Sequence, residues 1–391
     1  MLEREKIAQA RELMKREEID VWLIYCRETS EIPEPALMVV AGTPVVWESA
    51  LIIGVNGESI AIVGGPDAPA LRAKGVFETV VPYDEDIGPA LRQALSRLNP
   101  RRIAIDYSED DVVADGLTHG MYRLLLKRLA GAPYGDRLTS AAPIVTALRA
   151  IKTPEELRRI RRSVASAEEI LAQLTKTLRV GLTESEIHQW VSERVRRRNL
   201  APAWDAAHCP TVTCGANSPI GHTGPTDAKA LPGDIIRLDF GVKENDYCSD
   251  LQRVWYLRRP GEVKAPAEVR RAFDTCRKAI EAGFAALKPG VVGWQVDAAA
   301  RKVITDAGYP EFKHALGHGL GRNAHDGGPL LGPRWARYGR TPLARVEAGN
   351  VFTLELGVMT PAGYVGLEED VVVTASGAEY LSKPQTEIIY V

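Results

Sequence analysis

The sequence is short of everything that marks a protein for a charged or apolar partner. Its 49 basic and 51 acidic residues leave a net charge of -2, so there is no basic excess to hold nucleic acid and none of either sign to draw the chain to a membrane surface. No run approaches the roughly 18 apolar residues of a membrane span. The opening stretch MLEREKIAQARELMKREEID carries charges at helical spacing where a secretory leader would be apolar. The expectation is a cytoplasmic protein that binds neither nucleic acid nor membrane. Cysteine is scarce too. Cys26, Cys209, Cys214, Cys248 and Cys276 are odd in number and lack C-x-x-C spacing, which argues against a disulfide framework and a zinc knuckle and predicts free thiols. The first part of the chain also has no G-x-G-x-x-G or G-x-x-x-x-G-K-[ST] loop to cradle a nucleotide.

What is present suits a globular enzyme. A chain of 391 residues, 45% hydrophobic, is long enough for two or three domains with sizeable cores. Residues 1–150 alternate short apolar runs (VWLIY, ALIIGV, SIAIVGG) with amphipathic segments (PALRQALSRL, GMYRLLLKRLAG), the pattern of a small α/β domain. A second domain, 151–391, opens on a helix with Thr153 as N-cap, Pro154 at its first position and Glu156 at the capping-box position. Its apolar face repeats at Leu157, Ile160, Val164 and Leu171. This domain contains itself twice, weakly. LRVGLTESEIHQWVSERVRRRNL can be laid over LKPGVVGWQVDAAARKVITDAGY, and each copy is followed by a pair of strand-like runs.

Those runs carry acids where apolar residues are expected. In DIIRLDFGVKENDYCSDLQRVWYL a hairpin centred between Glu244 and Asn245 would set Asp239 opposite Asp250. In VFTLELGVMTPAGYVGLEEDVVVT the turn falls on Thr360–Gly363, and Glu355 and Glu368 are equidistant from it. Glu368 and Asp370 share a face that Glu369 does not, so alternation cannot choose between them; turn symmetry favours Glu368. One acid on a strand is ordinarily a solvated side chain. Four on apolar hairpins, unpaired, would cost several kcal/mol apiece if buried, and metal is the natural compensation.

A fifth ligand is available in HALGHGLGRNAHDGGP, residues 314–329, which sets three histidines among five glycines. Four carboxylates and one imidazole form a mixed O/N set suited to Mn, Co, Zn or Fe rather than Ca, and can hold two divalent ions about 3.5 to 4 Å apart. The glycines would let backbone approach the ions while the other imidazoles reach the substrate. His222, His314, His318 and His325 all lie near these segments, although a lone histidine is more often a satisfied surface or core residue than a ligand.

The motifs RLDFG with YCSDLQR, GHGLG with HDGGP, FTLELG and LEEDVVVT resemble, in order and spacing, the metal motifs of the pita-bread metallopeptidases, the family of methionine aminopeptidase, aminopeptidase P and prolidase. The likeness is detailed from Thr153 onward, and residues 1–150 look like the smaller N-terminal domain of the prolidase and creatinase branch. It implies an α/β N-terminal domain followed by an α+β pita-bread domain with an internal pseudo-twofold repeat. It implies two divalent ions, manganese first, with Asp239 chelating one, Asp250 and Glu368 bridging, and His318 with Glu355 on the other. The expected reaction is hydrolysis of the N-terminal Xaa-Pro bond of dipeptides or short peptides, with hydroxide held between the cations as nucleophile. The resemblance places His222 beside the scissile bond, His325 against the tetrahedral intermediate, Glu355 as proton shuttle and His314 in the pocket beyond the cleaved bond. It also implies a homodimer.

Two departures bear on the substrate. Prolidase-type relatives carry Arg two residues before the final Glu, where this chain has Gly366, and Pro after the fourth ligand, where it has Leu356. The loop GPRWARYGRTPLAR offers a substitute, Arg340 being the favoured partner for a substrate carboxylate. Two rival readings stay open: a metal-dependent hydrolase or lyase of the same fold acting on a non-peptide small molecule, and a non-catalytic peptide-binding module.

Overall fold

The computed structural model describes residues 1–221 and 223–391, and the chain divides into two compact units, Met1–Arg149 and Ala150–Val391. The first is built on a six-stranded sheet: β1 (Val21–Cys26), β2 (Ser49–Gly54), β3 (Ser59–Gly64), β4 (Thr79–Tyr83), β5 (Ile103–Ile105) and β6 (Leu138–Ser140), in the order β4-β3-β2-β1-β5-β6. β1 to β3 pair antiparallel, while β4, β5 and β6 join parallel. Every residue of β1, β2 and β3 is buried, which is why these segments read as continuous apolar runs rather than alternating ones. Leu23, Ile52, Ile62, Leu91, Ile103 and Leu125 form the centre of its core.

The second unit opens on the helix Pro154–Thr175, whose capping box joins Thr153 and Glu156 as the sequence requires. It then runs through β7 (Ala201–Pro202), β8 (Thr211–Cys214), β9 (Ile235–Phe240), β10 (Val242–Glu244), β11 (Tyr247–Cys248), β12 (Leu251–Tyr256), β13 (Val351–Thr360), β14 (Gly363–Val373), β15 (Ala378–Tyr380) and β16 (Ile389–Tyr390). The main sheet has the order β13-β14-β12-β9-β8, with β15 added on β14 and β16 on β12; β11-β10-β7 form a smaller sheet. The repeat is visible in the helices. Pro154–Thr175 and Ala267–Ala286 lead each half, Gly181 and Gly290 follow at φ 90° and 86°, and helices of 14 residues, Glu184–Arg197 and Gly293–Asp306, come next. A pair of long strands closes each half, β9 with β12 and β13 with β14.

One hairpin register differs from expectation. Asn245 and Asp246 both take left-handed φ, 50° and 67°, so the two-residue turn is centred between them and Glu244 pairs with Tyr247. Asp239 therefore faces Gln252, not Asp250. Asp250 lies just before β12, where the ladder is interrupted opposite Gly241 and Ser249 donates to Val242 through its amide at 3.0 Å. The second hairpin is as expected: Thr360 pairs with Gly363 and Glu355 with Glu368. All five cysteines are buried and free. No described helix is long and apolar enough to cross a membrane.

Candidate metal centre

A single rung of the main sheet carries the acids. Reading across five strands, Glu355 on β13 faces Glu368 on β14, Glu368 faces Gln252 on β12, Gln252 faces Asp239 on β9 and Asp239 faces Thr211 on β8. Side chains on one rung and one face stand about 5 Å apart, so register alone gathers three carboxylates on the floor of a pocket. Asp250 joins them from the interruption before β12. Its backbone N–H donates to Asp370 Oδ2 at 3.1 Å.

His318 comes from a glycine-rich strip lying along β13: Glu355 N–H donates to Leu316 O at 2.6 Å, Thr353 N–H to His318 O at 3.0 Å and Leu320 N–H to Val351 O at 3.1 Å. The glycines are there for this approach. A Cβ at Gly317 would collide with the carbonyl of Thr353, and one at Gly319 with the carbonyl of Gly327. The imidazole Nε2 is 3.7 Å from Glu355 Oε1 and 3.9 Å from Asp250 Oδ2. One ligand atom from each of Asp250, His318 and Glu368 lies within 4.8 Å of the others, which is the spacing of donors around a common cation. His325 packs edge-on to His318 with ring centroids 4.2 Å apart.

The electrostatics of this cluster are those of a site built for cations. Asp250 Oδ1 and Glu368 Oε1 are buried with no hydrogen-bond partner. Burial, then repulsion from Asp239, Asp370 and Glu355, pushes the Asp250 carboxyl well above its ordinary range. Glu368 moves the same way through burial and the charges of Asp250 and Glu355. Burial first and Asp239 second raise Glu355 to about 8, against the opposing pull of Arg237 and Gln252. Burial, assisted by His325, pushes His318 down to about 3, which keeps its ring neutral and its lone pair available as a ligand. Carboxylates this costly to ionise together become stable anions beside divalent charge, and their unpaired oxygens gain partners. The donor set fits.

Around them is a cavity of about 600 Å³ lined by Trp204, Asp205, His208, Asn323, His325 and the ligand candidates. Of the histidines singled out in the sequence, His318 and His325 line it. His314 is exposed and Arg340 is exposed on its loop; neither is among the lining residues. His222 lies outside the described residues. Three residues escaped sequence reasoning. Arg237, Gln252 and His208 are neither acidic nor in the glycine-rich strip, and only strand pairing and loop placement bring them to the site.

Residues 158–375, more than half of the chain, match the family model of metallopeptidase family M24. The chain belongs to that family. It is a metallopeptidase, with divalent metal ions and peptide substrates as M24 enzymes have. An Xaa-Pro dipeptidase of Pyrococcus furiosus is 30% identical over 250 residues, spanning 63% of this chain and 67% of that protein. An uncharacterized peptidase of Staphylococcus saprophyticus is 27% identical over 336 residues, 85% of this chain and 87% of its own. Among solved structures, an Xaa-Pro dipeptidase of Bacillus anthracis superposes with a TM-score of 0.78 at 23% identity over the whole of both chains. An X-Pro aminopeptidase of Thermotoga maritima gives 0.77 at 24% identity, covering 97% of this chain and all of that one. The second unit therefore has the pita-bread fold of M24, preceded by an α/β unit.

The acid left out of the M24 ligand candidates also contributes. Asp370 is fully buried, shares the face of Glu368 and holds the Asp250 amide. Glu369, on the other face, pairs with Arg253 at 2.9 Å, and Arg253 also donates to the Glu368 carbonyl. Asp370→Ala is expected to lower kcat/KM about ten-fold by freeing the Asp250 backbone, the effect typical of an outer-shell partner. Asp370→Asn, which keeps an acceptor oxygen, is expected to fall between the two. Steady-state kinetics with saturating Mn check the order wild type, Asn, Ala.

Proposed function

We propose that this M24 chain hydrolyses the N-terminal Xaa-Pro bond of dipeptides or short peptides, using two divalent cations, manganese foremost, held by Asp239, Asp250, His318, Glu355 and Glu368. The observation that carries the reading is the carboxylate rung, with Asp250 Oδ1 and Glu368 Oε1 buried and unpaired beside a neutral His318. Such ions supply Lewis acidity and make water acidic enough to serve as nucleophile near neutral pH. The protein does the rest. Glu355, at the edge of the ligand set and on the cavity wall, is the carboxylate that would take a proton from the nucleophilic water and pass it to the leaving nitrogen. His325, at the cavity wall, donates N–H to the carbonyl oxygen as charge develops there. The roles of His222 and His314 toward the substrate rest on the family resemblance alone.

The Xaa-Pro preference rests on the names borne by the Pyrococcus and Lactobacillus helveticus relatives, both Xaa-Pro dipeptidases. Purified protein supplied with Mn is expected to cleave Ala-Pro faster than Ala-Ala, with Gly-Pro-Ala reporting on longer substrates. Turnover of Ala-Ala alone would remove the proline preference, and metal-dependent turnover of amides other than peptides would favour the small-molecule reading. Failure to take up any transition metal on dialysis would overturn the proposal. A cytoplasmic homodimer completes it, checked by light scattering.

Arg340 is the proposed partner of a dipeptide's free carboxylate. Its loop is tied beside His314, since Tyr338 Oη accepts the Ala315 amide at 3.1 Å. Arg340→Ala is expected to raise KM for Xaa-Pro dipeptides about ten-fold while leaving the C-terminal amides unchanged. Equal effects on acid and amide would point to an aminopeptidase whose leaving portion needs no charge partner.

A further inference from the structure

Gln252 occupies the middle of the acidic rung, where a neutral side chain separates Glu368 from Asp239. It is buried and fully used. Nε2 donates to Glu355 Oε2 at 3.0 Å and to Glu368 Oε2 at 2.9 Å, while Oε1 accepts from Arg237 Nε at 2.9 Å. The amide can face only this way, because carboxylates only accept and a guanidinium only donates. Arg237, two residues before Asp239 and on the same face of β9, spends its next donor on that ligand: Nη2 to Asp239 Oδ2, 2.8 Å. Its guanidinium also lies 5.4 Å from the centroid of the Tyr364 ring.

Room for this pair is made by Gly366, which faces Gly357 across the β13–β14 ladder. A Cβ at Gly366 would stand 2.7 Å from Gln252 Oε1 and 2.9 Å from Arg237 Nε. Any side chain there would displace both. The glycine that departs from the prolidase-type pattern is thus the floor under a guanidinium supplied from another strand.

We propose that Arg237 and Gln252 act as one outer clamp that orients Asp239, Glu355 and Glu368 for the divalent ions, with Gly366 kept bare to admit it. The inference rests on the metal reading above. Three of the five proposed ligands receive a hydrogen bond from this two-residue unit, each to a single named oxygen, so each carboxylate is turned before any cation arrives. The positive charge of Arg237 offsets repulsion among the acids without neutralising them. Both are positioning residues, since neither lines the cavity.

The experiment is Mn titration by calorimetry of the full-length protein stripped of metal, with Arg237→Lys, Gln252→Leu and the double variant. Lysine keeps the charge and cannot bond Asp239 and Gln252 together from a planar fork. Each single change is expected to weaken Mn binding about 10- to 100-fold, as loss of an outer-shell partner does. The double variant is expected to bind no worse than the weaker single, because the two act as a unit. Melting temperatures of the stripped proteins guard against general damage: affinity lost with melting unchanged is the positioning signature. Wild-type affinity in both singles, or fully additive losses in the double, would overturn the clamp. If wild type itself binds no Mn, the metal reading fails instead.

Discussion

Glu368→Ala is expected to abolish peptidase turnover, with a loss of about a thousand-fold or more in kcat that added Mn does not restore. Glu368 is 1% exposed, stands opposite Glu355 across the β13–β14 ladder and lies with Asp250 and His318 in the one described group whose ligand atoms converge. Removing its carboxylate deletes an oxygen proposed to face both cations. Charge stabilisation worth several kcal/mol goes with it, and each 1.4 kcal/mol is a factor of ten. The truncation also leaves Gln252 Nε2 one partner short. Metal analysis alongside the kinetics is the check. A variant that keeps both ions and more than about a tenth of the activity would move the bridging role away from Glu368, with Asp370 next in line on the same face.

The second large effect is on stability against pH. In the metal-free protein, burial and mutual repulsion raise Glu355 to about 8 and push Asp250 and Glu368 upward too. A carboxyl whose pKa is raised on folding binds its proton more tightly in the folded state. Its contribution is complete below the unfolded value and is lost as pH rises through the folded one. Stripped protein is therefore expected to melt at progressively lower temperature between about pH 4.5 and 8. Mn reverses the sign, because cations replace those protons and bind more tightly as pH rises. At a free concentration 100 times its dissociation constant, each ion adds about 2.7 kcal/mol. Glu34 and Asp106, a buried acidic pair in the first unit, are also raised and give the same slope. The contribution of Glu355 is therefore the difference between wild type and Glu355→Gln, read by scanning fluorimetry with and without Mn. A stripped protein whose melting temperature is flat or rising over this range would show that its acids are already neutralised by something other than protons.

Much of the second unit is legible because its signals are local. The Thr153–Glu156 capping box, the turn at Thr360–Gly363 and the alternation that sets Glu355 against Leu354 and Leu356 each depend on residues within a few positions of one another. From the turn, β13 and β14 can only pair one way, so Glu355 and Glu368 meet. The first hairpin is less transparent. Its polar stretch Lys243–Asp246 admits more than one turn, and the choice falls to Asn245 and Asp246, two residues that tolerate left-handed φ. That shift of one residue in the centre takes Asp250 out of the ladder and brings Gln252 to the rung instead.

The amino-acid order therefore determined which acids and which imidazole are available, the hairpin carrying Glu355 and Glu368, and the glycines that let the His318 strip lie against β13. Tertiary structure alone decided how β14 lies against β12. That pairing joins residues more than a hundred positions apart, and no local spacing encodes it. It brings the glutamates beside Gln252 and Gly366 under Arg237, while His314 and Arg340 stay off the wall of the cavity. The physical reason is that a hydrogen-bonded sheet fixes side chains to within a fraction of an ångström across strands, whereas the chain between those strands sets almost no constraint on which rung they share.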